Sequence, residues 1–97
     1  MVGAEVRSFI AECFWPGVQA ADVRDLDERA RRGAAATRST ATRVRYLGSI
    51  LMPEDEVVLC EFEGDVETVR LVAESAAIPF DRIVETRHSP WGTPPFQ

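Results

Sequence analysis

Lysine is absent from this chain of 97 residues, and histidine and tyrosine occur once each. All eleven basic side chains are arginines, sixteen side chains are acidic, and the formal net charge is −5. Because nucleic-acid-binding proteins usually carry a basic surface, we expect no nucleic-acid partner. No apolar run is long enough to span a bilayer, and the N-terminus lacks the apolar centre of a signal peptide. We therefore expect a cytoplasmic protein that does not enter a membrane.

Cysteine is also scarce. Cys13 and Cys60 lie far apart in the sequence and form no C-x-x-C pair. In a cytoplasmic chain such cysteines are expected to be reduced thiols, and Cys60 is expected to pack in the core. With His88 as the single histidine, a classical Cys/His zinc site within one chain is not expected.

The hydrophobic pattern and the turn residues predict six elements within one domain. They are a strand over 6–15, a helix over 19–32, strands over 43–52 and 57–63, a helix over 66–77 and a strand over 81–87. The first helix either ends at Gly33 or continues through the three alanines that follow it. Residues 1–88 should form the domain. The tail over 89–97 contains Trp91 and Phe96, so it either docks on a partner subunit or frays.

The order β-α-β-β-α-β predicts an α+β fold of the ferredoxin-like type. We expect a four-stranded antiparallel sheet with both helices on one face. Right-handed crossovers should place the first and third strands in the centre, parallel to each other. The other face of the sheet is rich in apolar residues and needs a cover. A homodimer of the dimeric α+β barrel type, or an apolar small molecule, would supply that cover.

Several segments between Val44 and Glu85 resemble one known family. The segments are VRYLGS, PEDEV, CEFE, the helix end AAIPF, and DRIVE, together with Glu12 followed by aromatic residues, proline and glycine. On these segments the chain resembles the domain-of-unknown-function family numbered 4242. The resemblance covers roughly residues 6–87 and implies a ferredoxin-like fold. Representatives of that family are nickel-binding, so the resemblance also implies a bound transition metal.

Glu12, Cys13 and His88 are the best available metal donors in this chain. Nickel favours imidazole and thiolate ligands, which these residues offer together with one carboxylate. The first functional hypothesis is therefore a small dimeric binding protein that holds nickel or another divalent transition metal.

Glu12 is also the leading candidate for acid–base chemistry, because it lies in a strand expected to be central. The alternative is that this carboxylate reaches water or an arginine. Glu61 should face the open side of the sheet, where Glu12 could also lie, and the two could then form an acid–base pair or a hard-metal site. The alternative is that Glu61 pairs with Arg43 or Arg45 across the hairpin.

A second hypothesis is a cofactor-free enzyme of the isomerase, cyclase or oxygenase type. Its pocket would be the apolar sheet face, with Glu12 as general acid or base and His88 or Tyr46 assisting. The hairpin loop does not determine which face Tyr46 occupies. A third hypothesis is a structural or regulatory dimer. The sequence holds no phosphate-binding loop and no plausible nucleophile elbow, so nucleotide and triad hydrolysis are not expected.

Overall fold

The computed structural model describes residues 7–38 and 42–87 of the chain. Its elements are β1 (Ser8–Phe14), α1 (Ala20–Thr37), β2 (Val44–Met52), β3 (Val57–Gly64), α2 (Val66–Ser75) and β4 (Arg82–Thr86). This order confirms the predicted α+β ferredoxin-like plait. Val6, His88 and the predicted tail over 89–97 lie outside the described residues.

The four strands form one sheet in the order β2-β3-β1-β4, and every neighbouring pair is antiparallel. The first and third strands are adjacent in the centre, as predicted. The prediction that they run parallel is wrong. The crossover through α1 makes β2 parallel to β1, and the following hairpin reverses the chain, so β3 must run against β1.

The core lies between one face of the sheet and the two helices. Phe9, Ala11 and Cys13 alternate inward along β1, and each is at most 2% exposed. Val58, Cys60 and Phe62 alternate inward along β3 and are fully buried. The helices complete the core with Leu26, Ala30, Val69, Val72 and Ala73. This side of the sheet is the helix face, and the opposite side is named the open face.

The first helix passes through Gly33 and continues to Thr37. Alanine has the strongest helix propensity, and Ala34 is buried against the core. A side chain at position 33 would come within 3.4 Å of Val72 in α2. A Cβ at that distance would make an ordinary van der Waals contact, so α1 and α2 lie close together here without requiring glycine.

Arg29 ties the first helix to the end of the second. Its Nε donates to the carbonyl of Ala76 at 2.7 Å, and its Nη2 donates to the carbonyl of Ala77 at 3.3 Å. Carbonyls at the end of a helix have no partner within the helix, so this guanidinium satisfies groups that would otherwise rely on water. Asp25 pairs with the same guanidinium.

Replacing Arg29 by methionine should lower the free energy of unfolding by about 1 kcal/mol, because one hydrogen bond to a part-buried carbonyl and one to an exposed carbonyl are lost while the aliphatic stem remains. Urea unfolding followed by circular dichroism measures the change. Arg32→Met is the matched control, because Arg32 is 73% exposed and its ion pair with Glu28 is 3.7 Å long. Equal losses in the two variants would contradict the proposed capping role.

Candidate functional site

The open face of the sheet is largely apolar. Phe14 is 60% exposed and Ile50 is 56% exposed, although both lie in regular strands. The strand register places them beside further apolar side chains that are half-buried: Ile10, Met52, Val57, Leu59 and Val84. A continuous exposed patch of this kind on a small domain indicates a binding surface.

Two ion pairs lie on the same face of the sheet as this patch. Arg82 donates to both carboxylate oxygens of Glu12, at 2.7 and 3.4 Å. Arg45 donates to Glu63 across the hairpin at 3.0 Å. The alternative in which Glu12 reaches an arginine is therefore confirmed. The carboxylate of Glu12 raises the pKa of Arg82, so the guanidinium remains charged.

Glu61 lies on the same face as Glu12, as the alternation predicts. In the register of the sheet Glu61 is opposite Ile10 on one side and Gly48 on the other. Glu12 is opposite Leu59, so the two carboxylates occupy diagonal positions on neighbouring antiparallel strands.

A β-bulge between Tyr46 and Gly48 determines the face that Tyr46 occupies. Leu47 is the additional residue, and Gly48 adopts a φ of 130°, which favours glycine. Because of the bulge, Tyr46 and Ser49 both project to the helix face although they are three residues apart. Tyr46 therefore cannot assist Glu12, which lies on the open face. Of the two assisting residues that the enzyme hypothesis offered, His88 is left, and it lies outside the described residues.

Tyr46 and Ser49 share one acceptor. The hydroxyl of Tyr46 donates to Oδ1 of Asp27 at 2.5 Å, and the hydroxyl of Ser49 donates to the same oxygen at 2.7 Å. The ring of Tyr46 also packs edge-on against Phe62. The pKa of Tyr46 is raised far above its usual range. Burial of the phenol is the larger cause, and the hydrogen bond to Asp27 is the next. Asp27 and Ser49 were not predicted as site residues, because nothing in their local sequence marks this contact.

Cys13 and Cys60 lie together on the helix face, and neither thiol is exposed. The neighbouring thiol of Cys60 and, after it, burial raise the pKa of Cys13 well above its usual range. The thiol of Cys13 donates to the carbonyl of Ala11 at 4.0 Å. Burial confirms the prediction that Cys60 packs in the core. A thiol must lose its proton to bind a metal, and the environment of Cys13 opposes this loss.

The predicted metal donors are not brought together. Glu12 and Cys13 are successive residues of one strand, so their side chains project to opposite faces of the sheet. His88 lies outside the described residues. Across 7–38 and 42–87, no three His, Cys, Asp or Glu side chains are grouped so that they could hold a metal ion. A single site made of Glu12, Cys13 and His88 therefore does not fit this chain.

We expect Tyr46 to remain protonated in the native protein well above pH 10, where an ordinary tyrosine ionises. Because the raised pKa favours the protonated folded form, its stabilising contribution is present below pH 10 and is lost at higher pH. Tyr46 is the single tyrosine of the chain, so absorbance at 295 nm follows it directly. Asp27→Asn should lower the midpoint. A native midpoint near pH 10 in the unsubstituted protein would contradict the buried hydrogen bond.

No protein-family model and no curated protein matches the chain. Among solved structures, the chain is similar to SCO4226 from Streptomyces coelicolor A3(2), known from a crystal structure analysis. The TM-score is 0.60 at 21% sequence identity, and the match covers 84% of this chain and 98% of that one. None of the described helices has the length and apolar character needed to cross a membrane. The structural similarity shows that the two proteins share a fold.

Proposed function

We propose that this protein is a small binding protein that acts as a homodimer, with the open face of the sheet as its binding surface. The observation that carries the proposal is the exposure of Phe14 and Ile50, at 60% and 56%, although Phe14 ends β1 and Ile50 lies within β2. Single exposed apolar residues are common on any protein, but a row of them across a sheet is not.

Covering this surface is energetically favourable. Each square ångström of apolar surface removed from water contributes about 25 cal/mol. Covering Phe14 and Ile50 in both subunits of a dimer therefore contributes several kcal/mol. A chain of 97 residues has a modest core and gains more than a large domain from such a cover. The arginines of the two ion pairs lie on the edge strands β2 and β4, where a polar interface rim is usual, whereas Glu12 lies on the central strand β1 and would be covered.

An apolar small molecule is the second candidate occupant, and with it the cofactor-free enzyme hypothesis remains a prediction. Glu12 is the acid–base candidate on the open face. Arg82 donates to both of its oxygens, so a proton transfer at Glu12 would require the guanidinium to move away. This contact supports a binding role for the pair more than a catalytic one.

Nickel binding likewise remains a prediction carried by the family resemblance. Within the described residues, Glu12 is a carboxylate donor on the open face, whereas Cys13 is enclosed in the core.

As part of the proposal we place the protein in the cytoplasm, which two free and buried thiols support.

Replacing Ile50 by lysine should raise the dissociation constant of the dimer by at least about tenfold, because the two-fold interface receives two buried charges. Sedimentation velocity over a range of concentrations measures the change. Leu71→Lys is the matched control, since Leu71 is 61% exposed on α2, away from the sheet. An unsubstituted chain that stays monomeric, or a control that weakens the dimer equally, would contradict the proposal.

Removing the thiol of Cys13 should leave any bound nickel in place, because this side chain lies on the face opposite Glu12. Native mass spectrometry of untagged protein, incubated with one equivalent of nickel chloride, measures the bound metal. We expect Glu12→Gln to lower nickel occupancy and Cys13→Ala to leave it unchanged. Loss of nickel on Cys13→Ala would place the metal on the helix face, and no retained nickel in the unsubstituted protein would overturn nickel binding.

A further inference from the structure

We propose that the second copy covers the open face with its strands parallel to those of the first copy. The two-fold axis lies along the strand direction, between β3 and β1. This inference rests on the proposed function and adds to it the geometry of the partner. It is carried by the way in which charged and apolar side chains are distributed over the open face.

The paired strands define four rows of side chains across this face. The first row holds Arg45, Glu63, Ser8 and Thr86; the second holds Gly48, Glu61, Ile10 and Val84; the third holds Ile50, Leu59, Glu12 and Arg82; the fourth holds Met52, Val57 and Phe14. The first row is polar throughout and the fourth is apolar throughout. The open face is therefore strongly polarised along the strand direction.

The size of the face requires the partner to be centred on it. A stable dimer usually buries about 800 Å² on each partner. Four strands about 4.8 Å apart, each about seven residues long, span only about 450 Å² in projection. A partner that covered the fourth row alone would bury far too little area. The whole face must therefore take part.

Two centred arrangements keep the strands aligned, as facing sheets commonly do. With the axis along the strands, each row meets the same row of the partner. Phe14 then lies over the partner's Val57, and Arg45 meets the partner's Thr86. With the axis across the strands, the rows are reversed. Five charged side chains would then lie on apolar groups of the partner: Arg45, Glu63, Glu61, Glu12 and Arg82. With the axis along the strands and between β3 and β1, only three do so: Glu61, Glu12 and Arg82. The parallel arrangement therefore places fewer charged groups on apolar ones.

The acidic residues locate the axis between the two central strands. In that position β3 faces β1 of the partner, so Glu61 lies over the partner's Ile10 and Glu63 over the partner's Ser8. An axis shifted onto β3 would place Glu61 directly over the partner's Glu61. Like charges opposed across an interface are strongly disfavoured. The central axis avoids this contact and keeps the apolar fourth rows together.

Site-specific crosslinking between differently labelled copies tests this geometry. One batch carries Phe14→Cys, and a second batch, labelled with ¹⁵N, carries Val57→Cys. A short bifunctional thiol reagent is required, because facing sheets are about 10 Å apart and a direct disulfide would not span them. The native cysteines are buried, so the unsubstituted protein serves as the reagent control. A parallel mixture of Phe14→Cys with ¹⁵N-labelled Ser8→Cys reports the reversed arrangement.

We expect mixed-mass dimers from positions 14 and 57, in at least tenfold excess over those from positions 14 and 8. The reverse ratio would overturn the parallel arrangement while leaving the homodimer intact. A dimer by sedimentation that yields neither crosslink would overturn the aligned, centred arrangement and leave the homodimer in place. A monomeric unsubstituted chain would overturn the proposed function itself. Phe14 is 60% exposed, so its replacement opens no cavity, and circular dichroism confirms that each variant is folded.

Discussion

Burial of one face of a four-stranded sheet under two helices is the constraint on which the rest of this structure depends. Phe9, Ala11 and Cys13 satisfy it on β1, and the inward residues of β3 satisfy it on the neighbouring strand. Because side chains alternate along a strand, filling the helix face also decides which residues appear on the other side. Glu12 and Phe14 reach the open face for this reason, and the candidate binding surface is a direct consequence of how the core is built.

Within the strands that the structure describes, the β-bulge at Leu47 is the irregularity in that alternation, and it has a structural purpose. It shifts the register of β2 by one residue, so that Tyr46 and Ser49 can both reach Asp27. The shared carboxylate fastens α1 to the edge strand of the sheet. A half-buried hydrogen-bonded group of this kind rigidifies a helix–sheet contact that apolar packing alone would leave adjustable.

The candidate site combines an apolar surface with charged residues that are already paired. Arg82 holds Glu12, and Arg45 holds Glu63, so these charges contribute little net attraction of their own. Their main effect is on specificity, since they disfavour arrangements in which they would lie on apolar groups. The sequence analysis had assigned Glu12 and Cys13 to one metal site. The carboxylate of Glu12 is held by an arginine on the open face and the thiol of Cys13 is enclosed in the core, so the two cannot bind the same metal ion.

The sequence by itself determined the fold class, the order of the six elements and the helix face of β3, because periodicity and turn residues are local signals. It placed Glu61 on the open face and offered Glu12 as its neighbour there, but both faces of β1 are largely apolar, so the pattern did not decide which of them meets the helices. Only the tertiary structure decided the partner of Glu12, since Arg82 lies 70 residues away and meets it through strand order. Reversal of the chain at the hairpin decided that the central strands run antiparallel. A bulge decided which face Tyr46 occupies. Neither feature leaves an unambiguous local pattern in the sequence.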